Sequence, residues 1–120
     1  MSYRSKGVYL WEAVHKSESK TIVHNNAMKK YWVYMMQSAN GRVLYTGVTN
    51  NLIRRVVEHK EGKGSVFTAK YKCHKLVYFE EYGLIDMAII REKTIKKLSR
   101  ANKEKLIDAM NPERVDLFEL

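Results

Sequence analysis

Residues 32–60, WVYMMQSANGRVLYTGVTNNLIRRVVEHK, determine the expected fold. Tyr31–Gln37 and Val43–Val48 are rich in aromatic and β-branched residues, which predicts two short strands. The segment between them, Ser38–Gly41, ends in Asn-Gly, a pair that tolerates the positive φ angles of hairpin turns. The strands should therefore pair, and the short loop should bring the faces of Tyr34 and Tyr45 together.

The second strand leads into a predicted helix over Leu52–Lys60, and the three residues before it can cap its N-terminus. Apolar residues recur on one face of this helix, which is typical of packing against a sheet: Leu52, Ile53, Val56 and Val57. Arg54 and Glu58 lie opposite that face and should form an ion pair in solvent. Arg55 and His59 lie at its edge, one turn apart, where their side chains can reach into a cleft.

The remaining chain predicts one more strand and two more helices. Lys75–Glu81 is the third predicted strand. A long helix is expected over about Met87–Arg100, capped by Asp86, and a shorter helix over Lys103–Met110 should stop near Pro112. The order ββ-α-β-α-α describes an α+β fold, in which a small three-stranded antiparallel sheet is flanked by helices.

Composition indicates one folded domain with a basic surface. The 120 residues carry a formal net charge of +9, which favours a polyanionic partner. Residues 1–27 show no sustained hydrophobic period and are expected to form a flexible N-terminal extension, with the folded domain spanning residues 28–120. That domain has 18 basic and 11 acidic side chains, a net +7, so most of the charge excess belongs to it.

Cysteine usage and hydropathy favour a cytoplasmic protein. Cys73 is the only cysteine, which excludes an intrachain disulfide and a cysteine-based zinc site and fits a reducing compartment. No apolar run approaches the roughly 20 residues of a membrane span, and the chain opens on no signal-peptide pattern. We therefore expect no membrane partner.

Several short phrases occur along the chain in one order. They are the tyrosine of Val33-Tyr34, the Tyr45–Gly47 triplet ahead of the basic helix, FTAKY at 67–71, KLVYFE at 75–80 and NPERVDL at 111–117. This series resembles the GIY-YIG nucleases, and in particular the small stand-alone bacterial members with a URI-type domain. The first motif of that superfamily keeps only its tyrosine here, and the second has Thr46 in place of isoleucine.

The resemblance implies a catalytic set of Tyr34, Tyr45, Arg55, His59 and Glu92. One tyrosine would accept a proton from the attacking water and the other would orient water or phosphate. A phenol has an ordinary pKa near 10 and needs a nearby cation or metal to act as a base at neutral pH. The guanidinium of Arg55 could grip phosphate and stabilise transition-state charge. Glu92 would hold one divalent cation, Mg²⁺ or another, together with waters and phosphate.

Each of these residues also has a structural explanation. The two tyrosines could be amphipathic sheet residues, because the chain contains eight tyrosines. His59 could be a helix-end residue favoured by the helix dipole. Glu92 lies four residues before Lys96 and could simply form an intrahelical salt bridge.

Basic side chains outside the catalytic set are candidates for contacting a nucleic-acid backbone. Those we single out are Lys70, Lys75, Lys96, Lys97 and Arg100. A solvated helix face is the alternative explanation for the cluster that follows Glu92.

The expected function is hydrolysis of phosphodiester bonds in DNA by a metal-dependent endonuclease of low sequence specificity, related to repair or recombination. The alternative is a module on the same fold that binds nucleic acid or a repair partner and cuts nothing.

Overall fold

The computed structural model describes residues 29–118. Its elements are β1 (Tyr31–Ser38), β2 (Leu44–Thr49), α1 (Leu52–Lys60), α2 (Val66–Tyr71), β3 (Cys73–Tyr82), α3 (Ile85–Lys96) and α4 (Arg100–Met110). The predicted α+β class and the sheet flanked by helices are confirmed, and the short helix α2 is an addition to the predicted order. The predicted extension, residues 1–27, lies outside the described residues, so the domain boundary stays a prediction.

The sheet has the order β2-β1-β3, and both pairings are antiparallel. Strand β1 lies at the centre and is almost entirely buried, because helices or the chain's C-terminal part cover both of its faces. In the β1–β2 register Tyr34 lies opposite Gly47 and Met36 lies opposite Tyr45. Tyr34 and Tyr45 are therefore diagonal neighbours on the same face, which places their rings within reach of each other.

The core has two layers, one on each face of the sheet. On the first face the sheet packs against α1 and the end of the described chain, through Trp32, Tyr34, Met36, Leu52, Val56, Leu117 and Phe118. On the second face it packs against α3 and α4, through Val33, Met35, Val77, Ala88, Ile95 and Ile107. No helix within residues 29–118 is long and apolar enough to cross a membrane.

Two predicted helix boundaries are wrong. Asp86 does not cap α3: the N-cap is Leu84, which makes no side-chain capping bond, and Asp86 lies inside the first turn, where its charge suits the helix dipole. Helix α3 also ends at Lys96 instead of continuing to Arg100. The reason is a second cap, because the Ser99 hydroxyl accepts a hydrogen bond from the Asn102 amide at 3.1 Å and starts α4.

The additional helix α2 is held by caps at both ends. The Ser65 hydroxyl accepts a hydrogen bond from the Thr68 amide at 3.0 Å. At the other end Lys72 adopts the left-handed conformation, with φ of 53°, and closes the last turn. A helix of six residues shows no full hydrophobic period, which is why the sequence pattern did not predict it.

Candidate active site

Strands β1 and β2 and helix α1 gather four of the five predicted catalytic residues on the first face of the sheet. The Tyr34 hydroxyl lies 2.8 Å from Nε2 of His59. The Tyr45 ring centroid lies 6.3 Å from that of Tyr34 and 5.3 Å from that of His59. Arg55, one turn before His59, interacts with the hydroxyls of both tyrosines. The pairing of the strands and the helical spacing thus produce one compact group.

Tyr34 reaches its position because the residue across from it has no side chain. A Cβ atom at Gly47 would lie 2.5 Å from Oη and 2.7 Å from Cζ of Tyr34, well inside van der Waals contact. The glycine of the Tyr-Thr-Gly triplet therefore makes room for the tyrosine of the first motif. This steric need links the two motifs physically.

A chain of hydrogen bonds runs from Tyr34 through His59 into α2. Nδ1 of His59 lies 2.9 Å from the Thr68 hydroxyl, which donates to the Ser65 carbonyl at 3.3 Å. Since Thr68 gives its proton to that carbonyl, it accepts the Nδ1 proton of His59. Nε2 of His59 is then unprotonated and accepts the proton of Tyr34. Each member is satisfied in this arrangement.

Burial sets the protonation state of this pair. Burial, assisted by the positive charge of Arg55, lowers the pKa of His59 to about 4, so the imidazole is neutral at pH 7. Burial raises the pKa of Tyr34 above its ordinary value, although Arg55 acts in the opposite direction. Tyr34 is therefore a protonated donor at neutral pH. Because it is only 1% exposed, it supports the site from beneath.

Arg55 borders a cavity of about 400 Å³ at the end of β2. Its guanidinium pairs with Glu58, Nη1 to Oε1 3.1 Å, so Glu58 is shared between Arg55 and the predicted partner Arg54, which is at 3.9 Å. Ile85 and Ile89 of α3 line the same cavity. The first turns of α3 therefore reach the space into which Arg55 opens.

Glu92 is placed differently from the other four residues. Its helix packs on the second face of the sheet, through Ala88 and Ile95, and its carboxylate pairs with Lys96 at 2.9 Å. Among the described residues it makes no hydrogen bond to the tyrosines, Arg55 or His59. It lies one helical turn beyond Ile89, which lines the cavity, so its place in a common site stays a prediction.

A Mg²⁺ ion in proteins is usually held by one or two carboxylates, waters and substrate phosphate rather than by a complete protein cage. In residues 29–118 no three His, Cys, Asp or Glu side chains come together as a ligand cluster. Glu92 is a single carboxylate with 14% of its side chain exposed, and Lys96 contacts it through one oxygen. This donor set fits the mode in which the substrate completes the coordination.

The candidate nucleic-acid contacts fall into two groups. Lys75 donates to the Arg114 carbonyl at 3.1 Å, and Arg100 donates to the carbonyls of Gly41 and Arg42 at 2.6 and 2.7 Å. These two side chains hold the fold together. The others are exposed, although each of two has a neighbour in the protein: Lys70 lies over the Tyr71 ring and Lys96 pairs with Glu92, whereas Lys97 follows α3.

Four residues of the site were missed by sequence reasoning. Ser65 and Thr68 orient His59, and Glu58 contacts Arg55 as well as Arg54. Gly64 is also required, because a Cβ atom there would lie 2.1 Å from Nδ1 of His59. The sequence signal was present in the Gly64-Ser65 pair before FTAKY, since glycine followed by a serine cap marks a tight helix start.

The profile of the GIY-YIG catalytic domain matches residues 30–105. The chain belongs to the GIY-YIG family. The match spans more than half of the chain and contains the four gathered residues as well as Glu92. The tyrosine pair of the GIY-YIG domain thus corresponds here to Tyr34 and Tyr45.

Relatives of this GIY-YIG protein occur in bacteria and archaea. The chain is 40% identical over 89 residues to a UPF0213 protein of Syntrophus aciditrophicus, covering 73% of this chain and all of that one. It is 42% identical over 77 residues to a UPF0213 protein of Natronomonas pharaonis, covering 64% and 89%. The NMR structure of the UPF0213 protein BH0048 from Bacillus halodurans is 30% identical, with a TM-score of 0.47 and coverage of 70% and 88%.

Proposed function

We propose that this protein is a metal-dependent endonuclease that hydrolyses phosphodiester bonds in DNA with little sequence specificity, in repair or recombination. The observation that carries the proposal is the group formed by Tyr34, Tyr45, Arg55 and His59 inside a GIY-YIG domain. A structural tyrosine pair would not need a guanidinium at both hydroxyls.

Exposure assigns the two tyrosines different tasks in this proposal. Tyr45 is only half-buried, so it is the phenol that can touch the attacking water. The water oxygen bonds to phosphorus, the bond to the leaving sugar oxygen breaks, and the water proton passes to Tyr45 in its ionised form. Arg55 favours that form and binds the phosphate oxygens. Tyr34 and His59 are positioning residues that hold Tyr45 from below.

Glu92 is the residue that would hold Mg²⁺ in this proposal. When bound, the ion neutralises charge on the scissile phosphate. Lys96 already compensates the carboxylate, so its ammonium group would shift aside or remain as an outer contact. The net charge of +7 on residues 28–120 favours a polyanionic substrate.

The decisive experiment is Mg²⁺-dependent nicking of a supercoiled plasmid by matched variants. Arg55→Ala should abolish cleavage and weaken DNA binding by about 1.5–3 kcal/mol, the usual contribution of a hydrogen bond to a charged group. Arg54→Ala is the matched control, because it removes an exposed arginine from the same helix and the same Glu58. It should cut nearly as fast as the parent.

A second pair of variants tests Glu92. Glu92→Gln keeps the size of the side chain and removes the charge that a metal needs, so cleavage should vanish while binding in low salt is kept. Lys96→Ala removes only the salt-bridge partner and should leave the cleavage step intact. Cleavage by Glu92→Gln at the parental rate would show that Glu92 is merely the partner of Lys96.

The alternative function, a nucleic-acid-binding module without cleavage, is favoured by one observation. Glu92 contacts Lys96 and none of the other four residues within the described chain. A parent protein that binds DNA but nicks no plasmid with Mg²⁺ or Mn²⁺ would support this alternative.

A further inference from the structure

Helix α2 presents aromatic rings to solvent beside the candidate active site. Phe67 and Tyr71 are one helical turn apart, with ring centroids separated by 4.8 Å, and they keep 43% and 42% of their surface exposed. A core function does not account for that exposure, since buried aromatic residues in this domain, such as Tyr34 and Phe79, are at most 6% exposed.

The exposed rings continue into the site without a gap. The Phe67 ring centroid lies 6.1 Å from that of Tyr45, so Tyr45, Phe67 and Tyr71 form a row that we call the aromatic row. Thr68, on the opposite side of the same helix, is fully buried and bonds His59 at 2.9 Å. The residue that orients His59 thereby also fixes where the row lies.

Cations accompany the rings. The segment from Gly62 to Lys72 contains three lysines and no acidic residue. The ammonium of Lys70 lies 5.3 Å from the Tyr71 ring centroid, and Lys72 is exposed at the end of the helix. Stacking rings next to backbone-binding cations are the combination that binds single-stranded nucleic acid, because every base has a π-face and every nucleotide a phosphate.

We propose that the aromatic row binds unpaired bases next to the scissile phosphate, so that the substrate is nucleic acid with a single-stranded segment. In a duplex the base faces are stacked on one another and unavailable to Phe67 and Tyr71. A free strand, a flap or a gap offers them. This inference rests on the proposed function for its account of what happens at the phosphate, but the binding itself needs no cleavage.

The test is fluorescence anisotropy in EDTA at low salt, with a labelled oligothymidylate of about 12 nucleotides, a blunt duplex of equal length, and a strand of the same length built from abasic sites. Phe67→Ala and Tyr71→Ala should each weaken binding of the oligothymidylate by about 5- to 150-fold. They should leave binding of the duplex nearly unchanged. The parent should bind the abasic strand about as weakly as these variants bind the oligothymidylate.

Three control variants separate stacking from other effects. Val66→Ala removes an apolar side chain that is 87% exposed on the same helix, and it should bind as the parent does. Tyr71→Phe should keep the affinity because it keeps the ring. Lys70→Ala should weaken single strand and duplex alike, since it removes a phosphate contact. Circular dichroism establishes that each variant is folded.

The outcomes distinguish this inference from the proposed function. Equal binding of thymidylate and abasic strands by the parent, or equal loss for Val66→Ala and Phe67→Ala, overturns the aromatic row even if the protein nicks plasmid. Selective loss for Phe67→Ala supports it even if Arg55→Ala shows that nothing is cut. An oligouridylate arm identifies the strand: loss with either sugar supports the row, and the tighter parental complex tells DNA from RNA.

Discussion

At the scale of single residues, the site depends on atoms that are absent. Gly47 and Gly64 each lie against a ring of the Tyr34–His59 pair, and neither position has room for a Cβ atom. Sequence reasoning recognised Gly47 as a place of close approach but did not predict its contact. The tyrosine pair, Arg55 and His59 were predicted, since their spacing on strands and helix is periodic.

Gly47→Ala is expected to displace Tyr34 and to destabilise the protein by about 1–3 kcal/mol, the usual cost of overpacking a core. Plasmid nicking should fall with it, because the ring would no longer meet His59. The measurement is urea unfolding followed by the nicking assay. Gly83→Ala is the control, because no atom lies within 4 Å of a Cβ atom placed there. Equal stability of the two variants would contradict the steric argument.

His59 should make the stability of the protein depend on pH. Its pKa is about 4 in the folded protein, mainly because it is buried, against about 6.5 in the unfolded chain. The unfolded chain therefore binds the proton first as pH falls. The stabilisation is complete above about pH 6.5 and is lost between there and about pH 4, with a slope of up to about 1.4 kcal/mol per pH unit.

The measurement is the free energy of unfolding in urea at several pH values, for the parent and for His59→Gln. The glutamine variant cannot titrate, so subtracting its curve removes the contribution of the carboxylates. A difference curve that is flat from pH 7 to pH 4 would mean that His59 takes up its proton in the folded state.

At the scale of elements, a polar cluster attaches α3 to the sheet. Arg91 of α3 binds Glu80 of β3 with both guanidinium edges, at 2.9 and 3.0 Å, and Tyr78 and Tyr82 donate to the same carboxylate. Burial alone would raise the pKa of Glu80, but these donors outweigh it and lower the pKa. This cluster fixes the helix that carries Glu92.

Arg91→Ala should therefore destabilise the protein by about 1.5–3 kcal/mol, because it leaves a half-buried carboxylate without its cation. Urea unfolding at pH 7 measures this loss. The exposed pair between Arg54 and Glu58 is the comparison: Arg54→Ala should cost no more than about 0.5 kcal/mol. A loss for Arg91→Ala as small as that would mean that packing alone positions α3.

The elements also show which parts of the fold the sequence could predict. Strands β1 and β2 and helix α1 were predicted to within about one residue, because a clear period or turn signal marks each of them. The boundary between α3 and α4 was predicted wrongly, since the Ser99 cap sits inside an otherwise continuous helical pattern. Tertiary contacts such as that between Arg91 and Glu80 have no local signature.

At the scale of the whole molecule, net charge overstates the surface available for a polyanion. Lys60, Arg91 and Arg114 are paired with carboxylates, and Arg100 also holds two carbonyls of the hairpin loop. The sequence correctly predicted a basic protein. It could not tell which cations are consumed by the fold, because their partners lie far away in sequence, 56 residues in the case of Lys60 and Asp116.

The burial of Tyr34 and His59 has a consequence for reading relatives of this protein. Both side chains fill the interior and bond each other, so a descendant that had lost all enzymatic activity would still be selected to keep them, for folding alone. Their survival in a sequence is thus poor testimony of catalysis. Arg55 and Glu92, partly exposed and outside the packed layers, can be replaced without emptying the core, and whether a lineage retains them is the better record of its chemistry.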